Sequence, residues 1–401
     1  LSPKLEEHAG SVAVSSRKAL LATLEYRRAD ATDPRDVAGV VKASGEPVVA
    51  YLALPPSVYP KAVEALAAAG LPEGSRIAVE KPFGHDLASA RALNASLHSH
   101  FGEEAVFRVD HFLHKQTAQN VLGLRFANQV FEPIWNARHV DRVEIVFEET
   151  LGLEGRAGYY DATGALSDMI QNHLLQLLAL IAMEPPATLD ERDLRDRKYE
   201  VLRAVGGLSP QEVEERTIRA RYTAGRAGER PVPAYSDEEG VEPARGTETF
   251  AQVNLTVENW RWAGVPFLLR TGKALRQDRR FLAVHFKPVP HLAFGQSQHP
   301  VPNVLRLDLG PDRVSLGVNV NGEGDPFDLE RAELDADLAP QDLPAYARLL
   351  VDILEGDATL SIRNDEAEES WRIVEPILES WRAGRSPLLE YAAGSQAPHR
   401  P

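Results

Sequence analysis

Between Arg108 and Gln116 the chain reads Arg-Val-Asp-His-Phe-Leu-His-Lys-Gln, which sets a guanidinium, a carboxylate, two imidazoles and an ammonium side by side. Glu80-Lys81-Pro82-Phe83-Gly84 lies upstream of this run and Gln171-Asn172-His173 downstream. Fixed positive donors are what hold a dianionic phosphate, and an imidazole titrating near neutrality is what draws a proton from a sugar hydroxyl. The chain therefore reads as an enzyme. Asp110, His111 and His114 also admit a metal-ligand reading, but no further ligand set with useful spacing accompanies them, and no metal is expected. His111 and Lys115 are four residues apart, which puts both donors on one face if the segment is helical.

The elements that would carry these residues can be read from periodicity. From about Ala31 to Val109, short apolar runs alternate with helical spacing, the pattern of βαβ units on a parallel sheet. Val48 to Leu54 and Arg76 to Val79 are strand candidates. Tyr59 to Ala69 reads as a helix stopped by Gly70, and Asp86 to Phe101 as one capped by Asp86. Beyond Phe107, helices are expected over Gln119 to Asn128, Asp168 to Met183, Tyr346 to Leu354 and Glu366 to Trp381. Strands are expected over Val143 to Phe147, Phe250 to Val257, Arg280 to Phe286, Val304 to Leu309 and Arg313 to Val320. The later alternations suggest an antiparallel sheet. Residues 206 to 247, rich in Gly, Pro, Glu and Arg, read as connecting structure with short strands. Trp260, Trp262, Trp371 and Trp381 read as core.

The fold class expected is thus α/β plus α+β: a partial Rossmann-like parallel domain over residues 1–108, then a larger domain over 109–401 with an antiparallel sheet and helices. With 401 residues, 43% of them apolar, the chain has ample material for such cores. A formal charge of −15 argues against nucleic acid and anionic membrane as partners, so any anionic ligand must be met by a local cluster of cations. No Cys is present, which removes disulfides, thiolate nucleophiles and Cys-ligated metals and fits a reducing cytoplasm. The longest apolar stretch, Leu174 to Met183, is half of the about 20 residues a bilayer span needs and reads as a buried helix.

Many short motifs in order carry a resemblance: Tyr51-Leu52-Ala53-Leu54-Pro55-Pro56, Leu124-Arg125-Phe126-Ala127-Asn128, Pro133-Ile134-Trp135-Asn136, Glu154-Gly155-Arg156, Arg261-Trp262-Ala263-Gly264-Val265-Pro266-Phe267 and Arg270-Thr271-Gly272-Lys273-Ala274-Leu275, besides the three already quoted. From about Val48 to Tyr391 the chain resembles the glucose-6-phosphate dehydrogenase family. The resemblance implies oxidation of C1 of glucose 6-phosphate with NADP, NAD being the alternative, and a homodimer or homotetramer. It implies that His173 is the general base, oriented by Asp110. By itself His173 shares a helical stripe with Leu177 and Leu180, where a histidine would read as core. The same resemblance implies that His111 and Lys115 hold the phosphate, that Lys81 and Lys273 bind substrate, and that Glu149 and Asp168 meet the sugar hydroxyls. Cations would then grip the phosphate end and carboxylates the polyol end. Pro55, Lys81 and Pro82 would border the cofactor's nicotinamide.

The chain also departs from that pattern. Between Leu1 and Arg76 the glycines are Gly10, Gly39, Gly45, Gly70 and Gly74, none in a glycine-rich turn from strand to helix. At least one βαβ unit of the dinucleotide domain is expected to be missing from the sequence as it stands. Phe112 stands where Tyr is usual, His114 where Gly is usual, Asp278 where a basic residue is usual and Gly310 where Gln is common. Altered substrate affinity is the expected consequence. The rival readings are a dehydrogenase of another hexose phosphate using NAD, and a sugar-phosphate-binding regulatory homologue that has lost turnover.

Overall fold

The computed structural model describes residues 12–294, 300–324, 327–339 and 341–399. They divide into two compact units, one of residues up to Val48 with Ser57–Ser75, the other of Val49–Pro56 with residues from Arg76 on.

In the first unit, α1 (Val14–Thr23) buries none of its residues, while α2 (Pro34–Ser44) turns Val37 and Val41 inward. Asp33 starts α2 by accepting from the Arg35 amide at 2.8 Å, with Pro34 at the first position, where no amide is required. The Ala-rich α3 (Tyr59–Ala69) packs against α2 and stops at Gly70, whose φ of 71° takes the left-handed turn that other residues resist.

The second unit opens with β1 (Val49–Leu52), β2 (Arg76–Glu80) and β3 (Val106–Val109), parallel and adjacent in that order. Between β2 and β3 runs α4 (Leu87–His98). Asp86 caps it by accepting from the Ser89 amide at 2.7 Å, and Ser89 Oγ accepts from the Asp86 amide in return. Then follow α5 (Gln116–Phe126), β4 (Val140–Glu148), α6 (Ala157–Ala165), a π-helix over Leu166–Leu174, α7 (Leu175–Ala182), α8 (Glu191–Ala204), α9 (Pro210–Arg216), β5 (Thr217–Thr223) and a short hairpin of β6 (Gly225–Ala227) and β7 (Arg230–Val232). The chain continues with β8 (Phe250–Thr256), β9 (Pro266–Gly272), β10 (Arg279–Phe286), β11 (Val304–Leu309), β12 (Asp312–Asn321), β13 (Leu329–Asp337), α10 (Ala345–Glu355), α11 (Asn364–Arg382) and β14 (Leu388–Ala392).

Among the described residues, nine of these strands form one sheet in the order β13-β12-β11-β10-β4-β9-β8-β5-β14. Neighbours run antiparallel except β4 with β9 and β5 with β14, so the sheet is largely antiparallel but mixed at two pairings. Helices and other strands lie between the members of each parallel pair in sequence, so both are joined by far more chain than parallel pairing requires. Residues 206 to 247 are more than connections. They hold α9, capped reciprocally by Ser209 and Glu212, and the seven-residue sheet strand β5.

The core of this unit includes α7, every residue of which is buried. Its last carbonyls lack helical partners and are met by side chains. Trp135 Nε1 donates to the Ile181 carbonyl at 2.8 Å, Trp262 Nε1 to Ala182 at 2.8 Å, and Arg125 to Leu180 and Ile181. Trp262, Trp371 and Trp381 are buried as expected, but Trp260 is 97% exposed. The turn after β8 explains the difference: Asn259 Oδ1 binds the Trp262 amide, which directs Trp262 inward and leaves Trp260 outside. No helix among the described residues is long and apolar enough to cross a membrane.

Candidate active site

The three parallel strands end at Leu52, Glu80 and Val109, so Pro55, Lys81-Pro82 and Asp110 all leave the C-terminal edge of one sheet. That is the edge at which open parallel sheets bind ligands. α11 holds the second of these loops: Trp371 Nε1 donates to the Phe83 carbonyl at 2.8 Å. α10 packs on the sheet itself, with Leu349 and Ile353, and Ala358 just beyond the helix, against Ala78, Phe107 and Val109.

Asp110 to Lys115 is a turn, not a helix, which removes the argument from four-residue spacing. Asp110 Oδ1 accepts from the Phe112 amide at 2.9 Å, a local bond that competes with helix formation, and α5 begins only at Gln116. The turn still gathers its side chains. The His111 ring lies edge-on to His173 at 5.2 Å and stacks on Tyr346 of α10 at 4.8 Å. Phe112 stacks on His173 at 3.9 Å, and Lys115 Nζ lies 4.0 Å over the Phe112 ring. His114 turns away to Asp352 at 3.3 Å, so Asp110, His111 and His114 do not converge as a ligand trio. Asp110, His111 and His173 do have ligand atoms within 4.8 Å of one another, two of them bonded to each other.

His173 reaches this turn from the π-helix. Gly164, with φ 72° and ψ 169°, is non-helical within the end of α6 and kinks the chain just before that segment, and Glu248 then accepts from the Leu166 amide at 3.0 Å. In an α-helix, residues five apart point about 140° apart around the axis. The i→i+5 bonding of a π-helix brings them toward one face, and here those residues are Asp168 and His173. His173 Nδ1 and Asp110 Oδ1 are 2.6 Å apart and both side chains are buried.

Burial alone would raise the Asp110 pKa, but the facing His173, their hydrogen bond and the Phe112 amide outweigh it, and the carboxyl stays well below its usual range. Burial lowers the His173 pKa and Asp110 raises it, with burial the larger effect, so the imidazole is neutral at neutral pH. Burial, helped by His173 and the nearby lysines, pushes His111 down to about 4. His111 is therefore a neutral hydrogen-bonding group here, not the cation expected.

The remaining expected residues form ion pairs. Lys81 Nζ lies 3.0 Å from Asp168 Oδ1 and donates to the Asp168 carbonyl at 2.8 Å. Lys273 Nζ lies 2.9 Å from Glu149 Oε2. Cations and carboxylates are thus interleaved rather than sorted to two ends. Of Lys81, Lys115 and Lys273, Lys115 is the one with no carboxylate partner within ion-pair distance among the described residues. Asp278 accepts from the Thr150 amide at 2.7 Å and pairs with Arg280 at 3.1 Å, and Gly310 sits in the turn between β11 and β12. Pro55 follows β1 and is exposed. The sequence reading missed Tyr346, Phe147 and Arg280. Only the last had a signal, as one of two adjacent arginines opening a strand that follows Lys273.

For a nicotinamide dinucleotide, the residues present suit the ring end. Pro55 and Lys81-Pro82 border the strand ends, with a buried neutral imidazole stacked on Phe112 nearby. Among the described residues no glycine-rich strand-to-helix turn stands at the pyrophosphate end.

Comparison with known proteins agrees with this architecture. The family profile described as "Glucose-6-phosphate dehydrogenase, NAD binding domain" matches residues 2–120, and "Glucose-6-phosphate dehydrogenase, C-terminal domain" matches 122–401. Glucose-6-phosphate 1-dehydrogenase of Treponema pallidum is 44% identical over 87% of this chain and 70% of its own length. That of Zymomonas mobilis is 42% identical over 94% and 80%. A crystal structure of the Mycobacterium avium enzyme superposes with a TM-score of 0.86 at 37% identity, covering 99% of this chain and 84% of that one. A glucose-6-phosphate dehydrogenase in complex with glucose 6-phosphate gives 0.88 at 31% identity, with the same coverage. On these matches, together with its parallel sheet and its larger mixed sheet, the chain belongs to the glucose-6-phosphate dehydrogenase family.

Proposed function

We propose that this chain oxidises glucose 6-phosphate at C1 to 6-phosphogluconolactone, with NADP as hydride acceptor and His173 as general base. The observation that carries the reading is the buried Asp110–His173 pair, 2.6 Å apart, beside an ammonium that lacks a carboxylate partner among the described residues. Asp110 accepts from His173 Nδ1–H, which fixes the tautomer and leaves Nε2 to take the proton of the C1 hydroxyl. The bound cofactor's contribution is to take up the hydride that leaves C1. Lys115 meets the phosphate as a charge and His111 as a neutral N–H donor, while Asp168 and Glu149 accept from sugar hydroxyls. Lys81 and Lys273 pair with those two carboxylates and donate to sugar oxygens. Pro55 and Pro82 border the nicotinamide. The preference for NADP over NAD rests on the resemblance of the sequence.

Initial rates at 340 nm with glucose 6-phosphate, and with either NADP or NAD, test this reading. Sugar-phosphate-dependent reduction with kcat/KM higher for NADP by about tenfold or more is the expected result. Binding of glucose 6-phosphate with reduction of neither cofactor would overturn it.

A further inference from the structure

We propose that Arg280 binds the substrate's phosphate together with Lys115, and that Asp278 is the positioning residue that aims it. The inference rests on the sugar-phosphate reading above and adds a residue that neither the motifs nor their spacing identified.

Arg280 on β10 pairs directly with Phe147 on β4, so its side chain rises beside that ring, with the guanidinium carbon 5.0 Å from the ring centroid. Lys115 Nζ lies over the same ring at 5.3 Å and over Phe112 at 4.0 Å. Two cations therefore share one aromatic floor, within the reach at which like charges repel appreciably. Lys115 feels it: burial first, and Arg280 second, lower its pKa.

Their compensation is incomplete. Lys115 has no ion-pair partner among the described residues, and the nearby Asp312 is engaged by Thr117 Oγ1 at 2.5 Å. Arg280 has Asp278 at 3.1 Å and Glu149 at 3.5 Å, the latter already paired with Lys273 at 2.9 Å. The Arg280 Nε is buried without a hydrogen-bond partner. An unspent buried donor next to an unpaired ammonium calls for an anion with several acceptor oxygens, and a guanidinium fork matches phosphate in shape. Asp278, which would repel phosphate if it faced the site, is instead tied to the Thr150 amide at 2.7 Å and to Arg280.

Steady-state kinetics of wild type, Arg280→Ala, Arg280→Lys and Asp278→Asn test this, with inorganic phosphate as a competitive inhibitor. Arg280→Ala is expected to raise KM for glucose 6-phosphate about 10- to 150-fold, the loss of a charge-assisted hydrogen bond. The Ki for phosphate should rise in step while kcat changes by no more than about threefold. Arg280→Lys should recover part of the loss, and Asp278→Asn should raise KM about two- to fivefold. A KM for Arg280→Ala within about twofold of wild type, or a fall in kcat with KM and phosphate affinity held, would overturn the proposal. If wild type reduces no cofactor, the functional reading fails by itself. Calorimetric binding of glucose 6-phosphate to wild type and Arg280→Ala then still tests the phosphate contact.

Discussion

At His173, the proposed base, two opposing effects meet, and their order would set the pH at which it works. Burial disfavours the imidazolium and Asp110 favours it, and burial wins, so the folded pKa lies below the ordinary 6.5. The imidazole thus stays largely neutral as pH falls to 6.5 and takes up its proton further down. The acid limb of kcat/KM should accordingly lie below pH 6.5. Asp110→Asn removes the contribution that raises the pKa and leaves the tautomer unfixed. We expect the limb to move lower still and kcat to fall about 10²–10⁴-fold, checked by pH–rate profiles of both proteins. A limb that moves up would show that Asp110 does not act through this imidazole. The pairing was not legible in residue spacing, because Asp110 and His173 are 63 positions apart and only the fold joins them. The resemblance named both, whereas Arg280 escaped because its role depends on lying across from Phe147 in the sheet.

At the scale of elements, the π-helix is what brings Asp168 and His173 toward one face, and Glu248 anchors its start. Burial raises the Glu248 pKa to about 7 while its carboxylate accepts from the Leu166 amide. A carboxyl whose folded pKa exceeds its unfolded value holds an extra proton in the native state between the two. Stability from this group is therefore full below about pH 4.5 and lost as pH rises to about 7. Glu248→Gln keeps an acceptor for Leu166 and removes the titration. Relative to wild type its unfolding free energy should gain on the order of 3 kcal/mol between pH 4.5 and pH 8, read from denaturant melts. A constant difference across that range would contradict the assignment. Elements set by local chemistry were legible: α3 with its Gly70 stop, and α4 with its Asp86 cap. The π-helix was not, since its start is held by Glu248, 82 residues away. Nor were α8, whose charged sequence hides the few residues that face inward, and β13, which buries none of its residues.

For the whole molecule, the formal charge of −15 contrasts with a site where Lys81, Lys115, Lys273 and Arg280 stand together. An acidic exterior disfavours anionic polymers, while the local cluster still admits a small sugar phosphate. The parallel sheet contributes loops at its C-terminal edge, the mixed sheet and the residue after β4 contribute Phe147, Arg280 and Glu149, and the π-helix delivers His173, the proposed base. The claim that joins these parts is that His173 acts on the C1 hydroxyl. It is tested most directly by kcat of His173→Asn beside calorimetric affinity for glucose 6-phosphate. The account predicts a kcat loss of about 10²–10⁴-fold with affinity held within about threefold, because the base is used in the transition state and not in binding. A variant that keeps more than about a tenth of wild-type kcat would contradict it, and another group would have to be the base.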